Sequence, residues 1–168
     1  MGATKNMVRG FLFSLVYVVT TLVIPYATFT IISSLELPAG LQLAMTESRY
    51  NTIIFWITAF GLLISGFAFF TYSSPKQSIR RGVFALFQVI INSLYIWTYK
   101  FSGAAEVILR LLDPSGELFG IVILNLQQLI LVYMGIYFLT ISVKVYDLID
   151  FTVNRKTIRE KRWKGEEL

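Results

Sequence analysis

The side chains best placed to do chemistry in this chain are amides and phenols. Gln88, Asn92, Tyr95 and Tyr99 recur at i, i+4, i+7 and i+11, which puts them on one face of a helix. Asn125 and Gln128 are spaced i, i+3 on a second face, and Gln127 points elsewhere. If the two segments are antiparallel neighbours, Asn92 meets Gln128 and Tyr95 meets Asn125 at equal depth. Such a cluster can hold helices together at about 0.6, and at most about 2, kcal/mol per hydrogen bond in a bilayer. It can also line a small polar pocket for a lipid or another small ligand.

Two further stripes follow helical spacing. Ser14, Tyr17, Thr21, Pro25 and Thr28 lie along one face, with Glu36 beyond its end. In a symmetric oligomer this hydroxyl-lined face with a Glu ring at its mouth reads as a cation pathway. In a single chain the same hydroxyls bond their own i−4 carbonyls. Pro25 is expected to kink the helix and free a carbonyl for a hydroxyl partner. Thr58, Gly61, Ser65, Ala68 and Tyr72 form a third face. Its Gly61 and Ser65, four apart, permit close helix packing.

Other chemistries are excluded by composition. The chain has no Cys and no His. It can therefore form no disulfide, thiolate or imidazole metal site, and it has no His acid–base catalyst. No nucleotide-binding glycine loop or hydrolase motif is present, and no cofactor is implied. The expected role is non-enzymatic.

Helices that cross a bilayer must position these residues. The 168 residues are 55% hydrophobic and 15% charged, against about 25% charged in soluble domains. Gly10–Leu35, Tyr50–Pro75, Gly82–Tyr99 and Leu118–Val143 contain no Asp, Glu, Lys or Arg. A helix needs about 20 apolar residues to span the hydrocarbon. Three windows exceed that length and Gly82–Tyr99 just reaches it. The first is too long for a cleavable signal peptide and reads as a retained span.

Charge sets the expected topology. Lys5 and Arg9 precede span 1, Lys76, Arg80 and Arg81 separate spans 2 and 3, and the tail holds seven of the 15 Lys and Arg residues. The opposing loops hold only Arg49, Lys100 and Arg110. Both termini are therefore expected on the cytoplasmic side. Asp147 and Asp150 are expected to pair with Arg80 and Arg81. Phe101, Ala104, Ala105, Ile108, Leu111 and Leu112 share a helical face, with Glu106 and Arg110 at i, i+4. This predicts an amphipathic interfacial helix over about 102–112, stopped by Asp113-Pro114-Ser115-Gly116.

The expected fold is an all-α membrane protein of one domain, residues 1–168. It is a four-transmembrane-helix bundle with spans at about 10–35, 50–73, 82–99 and 118–143. An interfacial helix lies between spans 3 and 4, and the tail 144–168 begins as a cytoplasmic helical extension of span 4. Its partners are the lipid bilayer and other membrane-protein subunits or copies of itself, with no nucleic acid. The expected function is a non-catalytic structural, assembly or accessory subunit of a membrane complex. The alternatives are a homo-oligomeric channel lined by span 1 and a lipid or small-ligand binder using the Asn/Gln/Tyr cluster.

Overall fold

Proline and hydroxyl side chains punctuate the apolar windows and set the ends of the helices. The computed structural model describes residues 3–34, 38, 40–76, 78–154 and 156. The first window folds as α1 (Ala3–Val18), a π-helical turn (Val19–Val23) and α2 (Ile24–Ser33) in one continuous rod. Pro25 explains the interruption. It has no N–H to offer the Thr21 carbonyl four residues back, and its ring crowds that carbonyl. The ladder widens locally, and the Ile24 N–H reaches back to the Val19 carbonyl.

A short strand, β1 (Leu41–Leu43), precedes α3 (Glu47–Ser73). Thr46 caps α3, its hydroxyl accepting from the Arg49 N–H at 3.3 Å. Pro75 follows the end of α3 and keeps Ser74 extended. Ser78 then caps α4 (Ile79–Phe101), accepting from the Arg81 N–H at 3.2 Å. After β2 (Glu106–Leu112) and β3 (Leu118–Asn125), α5 runs from Gln127 to Val153. The Asn125 side chain accepts from the Gln127 N–H at 2.8 Å where α5 starts.

The α1–α2 rod, α3, α4 and α5 are each long and apolar enough to cross a membrane. The least apolar is α4, with a mean hydropathy of 1.4, because it carries the Gln88–Tyr99 polar face. Gly10 lies against Ser73 and Phe69, and Gly82 against Leu148 and Phe151. The start of α1, the end of α3, the start of α4 and the end of α5 therefore share one end of the bundle. The strands form the other end.

The expected interfacial helix at 102–112 is corrected: residues 106–112 are a strand. The three strands form one antiparallel sheet in the order β1-β2-β3. Leu41 pairs with Leu111 and Leu43 with Leu109, while Val107 pairs with Leu124 and Leu109 with Val122. The helical face read from the sequence exists only as a periodicity. Val107-Ile108 and Ile121-Val122-Ile123 are β-branched runs on either side of a tight turn, and the pairing of the two runs outweighs the helical pattern. The turn is built by Asp113, whose Oδ1 accepts from the Ser115 N–H (2.9 Å), the Ser115 hydroxyl (2.6 Å) and the Glu117 N–H (2.9 Å). Gly116 follows at φ +85°. The Ser115 hydroxyl, then the backbone donors, hold the Asp113 carboxyl below its ordinary value.

Span 4 is corrected with it. Leu118–Asn125 is strand, so the membrane-length helix begins at Gln127 instead of 118 and continues past 143 to Val153. Arg155 and residues 157–168 of the expected tail lie outside the described residues.

Helix packing follows chain order. The α1–α2 rod lies on α3, α3 on α4, and α4 on α5, while contacts between α1 and α5 are sparse. The core sits on α3, where Ile53, Ile57 and Ile64 are fully buried, and on Tyr95 of α4. Only Ile130 is buried on α5.

Candidate functional site

Two regions concentrate polar groups or uncovered surface: a buried polar seam between the helices, and the sheet.

The seam starts at the π turn. Tyr95 Oη donates to the Thr21 carbonyl at 2.9 Å, the carbonyl that Pro25 deprives of its usual donor. Tyr95 and Tyr99 share a second bond at 2.8 Å. Gly61 brings α3 against the same turn, and a Cβ there would sit 3.0 Å from the Thr21 carbonyl oxygen. One turn further along, Ser14 donates to the Ser65 carbonyl at 2.9 Å, and Ser65 donates to the Gly61 carbonyl at 2.7 Å. Gln88, buried at 5% exposure, faces the Tyr17 hydroxyl. The seam holds hydroxyls, phenols and an amide, with no carboxylate or imidazole among them. Its chemistry is hydrogen bonding across helices.

Replacing Tyr95 by Phe leaves the Thr21 carbonyl and the Tyr99 hydroxyl without their partner. A loss of about 1–2 kcal/mol is expected in reversible unfolding in detergent, while Tyr26→Phe, on the exposed face of the same rod, shifts nothing measurable.

The sequence-derived residues are partly brought together. Gln88, Asn92 and Tyr95 share α4, with Gln88 and Tyr95 buried and Asn92 half-buried. Asn125 ends β3 and Gln128 lies in the first turn of α5, both exposed at the sheet end. Gly82 meets Leu148, which puts Asn92 opposite Phe138 at constant depth and far from Gln128. Of the span-1 stripe, Ser14 bonds α3 and the Tyr17 ring meets Tyr72 of α3, Thr21 offers its backbone carbonyl to Tyr95 while its hydroxyl bonds the Tyr17 carbonyl, and Thr28 is exposed with its hydroxyl on the Ile24 carbonyl. Glu36 lies outside the described residues. Asp147 pairs with Lys144 at 3.3 Å and Asp150 accepts from the Asn154 amide, and among the described residues no ion pair joins either carboxylate to Arg80 or Arg81.

The sheet is held by Arg49, which the sequence presents only as a loop charge. Its guanidinium donates to the Gly103 carbonyl and, at 2.9 Å, to the Glu106 carbonyl. The Glu106 carboxylate in turn accepts from the Gln127 amide at 2.6 Å. One residue thus joins the start of α3 to the α4–β2 turn and, through Glu106, to the start of α5.

β3 is the unusual element. Both of its faces are apolar and exposed, from Leu118 and Phe119 (83% exposed) through Ile121, Val122, Ile123 and Leu124. One edge is paired with β2. The Leu126 N–H bonds the Ala105 carbonyl and the Ala44 N–H bonds the Ile108 carbonyl, which sets the phase of the ladder. In that phase Val122 and Leu124 aim their backbone groups at β2, and Ile121 and Ile123 aim theirs away from the sheet.

Comparison of the chain with protein-family models, curated proteins and solved structures found no match.

Proposed function

We propose that the chain is a non-catalytic subunit of a membrane assembly, and that it associates with a second copy of itself through the free edge of β3. The observation that carries this reading is the combination found in β3. Two exposed apolar faces favour a nonpolar setting, and an edge with unpaired N–H and C=O groups is costly there. A second strand laid along that edge satisfies both demands. β3 has no charged residue between Leu118 and Asn125, so antiparallel pairing of two copies sets no like charges against each other.

In this reading the four helices span the bilayer. The excess of Lys and Arg at the termini end puts both ends on the cytoplasmic side and the sheet on the opposite side. The exposed α1 and α5 face lipid or neighbouring subunits.

Ile121→Pro tests the pairing. Proline there removes an outward N–H and leaves the β2 ladder intact, a position an edge strand tolerates. Light scattering of the detergent-solubilised protein should give a multiple of 19.2 kDa for the wild type and the single-chain mass for Ile121→Pro. Val122→Pro, which breaks the bond to β2, should instead destabilise the sheet itself. A monomeric wild type, or an oligomer indifferent to Ile121→Pro, defeats the proposal. Purification with a fixed second polypeptide would keep the assembly role and replace self-association.

A further inference from the structure

We propose that the cavity between α4 and α5, at the end of the bundle where α1 begins and α5 ends, binds a phosphate group, either in an anionic phospholipid headgroup or as free phosphate. The cavity has a volume of about 470 Å³, within the range of small-ligand sites. Lys76, Arg81 and Lys144 line its wall, and Asp147 is the one acid among the described lining residues. Asp147 pairs with Lys144 at 3.3 Å, so an anion bound there shares Lys144 with it. Gly82 and Phe151 supply an apolar floor on the side of the helix contact.

A second observation points the same way. The guanidinium groups of Arg9 and Arg81 converge on the Tyr72 ring, 5.7 and 5.9 Å from its centroid. Neither forms an ion pair among the described residues. Two like charges held near one ring repel, and an anion between Arg81 and Lys144 lowers that cost. A phosphate suits the site because Arg binds its oxygens in a planar fork while Lys acts as a point charge. Basic pockets between spanning helices at the cytoplasmic surface are suited to anionic headgroups. The lipid source rests on the bilayer placement of the proposed function. Free phosphate does not, and neither source depends on β3 pairing.

The test uses the full chain in detergent, titrated with phosphatidylglycerol or phosphatidylcholine and followed by native mass spectrometry, with inorganic phosphate as competitor. Phosphatidylglycerol should be retained in preference to phosphatidylcholine. Arg81→Gln and Lys144→Gln should each weaken retention about fivefold, and the double variant about twenty-five-fold. Arg81→Lys should recover part of the affinity lost in Arg81→Gln, because it keeps the charge without the fork, which separates charge from folding. Arg80→Gln, at an exposed position, should change it by less than about twofold. Displacement by millimolar phosphate would show that the phosphate oxygens alone are recognised. Retention unmoved by phosphate, yet lost in the double variant, would assign the lipid headgroup. Binding that survives the double variant, or that falls as far with Arg80→Gln as with Arg81→Gln, overturns the proposal.

Discussion

Replacing Gly61 by leucine is expected to destabilise the protein by about 3 kcal/mol, while the same replacement at Gly66 should be close to neutral. The two glycines lie five residues apart on α3. At Gly61 even a methyl group would stand 3.0 Å from the Thr21 carbonyl oxygen and 3.1 Å from the Leu22 Cβ. The obstacle is backbone, so a rotamer change cannot relieve it. The α1–α2 rod must move away, stretching the Ser14–Ser65 bond and drawing the Thr21 carbonyl off Tyr95. At Gly66 a Cβ meets nothing within 4 Å, and loss of a helix glycine is by itself mildly favourable. Paired unfolding curves in one detergent check this, and equal losses at the two sites would refute the close-approach account.

The second large effect is expected at Arg49. Arg49→Leu removes the donor from the Gly103 and Glu106 carbonyls together and should cost about 2–4 kcal/mol. The loss should be local first. Hydrogen exchange should quicken in β1, β2 and the start of α5, while the α3 core around Ile57 and Ile64 stays protected. Arg49→Lys should restore less than half, because an ammonium lacks the two-pronged reach of the guanidinium. Gly103→Ala should resemble Arg49→Leu. Gly103 has φ +78°, and a Cβ there would lie 2.6 Å from the Arg49 Nε. If Gly103→Ala leaves exchange in the sheet unchanged, Arg49 does not act as the clasp.

The helices were legible in the sequence because uncharged length is a coarse signal that survives any detail of packing. The starts of α3 and α4 lie three residues before their charge-free windows because Thr46 and Ser78 cap them beyond the apolar limits. The sheet is hidden in the sequence for a specific reason. Leu118–Asn125 is as apolar as the helix after it, so hydropathy runs on through the strand without a break. The signal that separates them is local: Asp113-Pro114-Ser115-Gly116 between two β-branched runs, a hairpin pattern that a helical count of every third and fourth residue hides. The polar face of α4 was visible from spacing, but its partner was not. Tyr95 answers a carbonyl left short by Pro25, and which hydroxyl reaches that carbonyl depends on how α1 crosses α3, a property of the fold and not of either segment.

The β1–β2 ladder has a consequence for the order of assembly. β1 emerges in the loop after the first helix and has only three residues, too few to persist alone. Its mate is synthesised two helices later. The first helical pair must therefore wait with that loop open until α4 has been delivered and its strand has swung back across the mouth. Closure of the mouth thus reports that α4 has threaded and its strand has followed, and a truncation after α4 should leave a protein with its earlier helices in place and its far end unlatched.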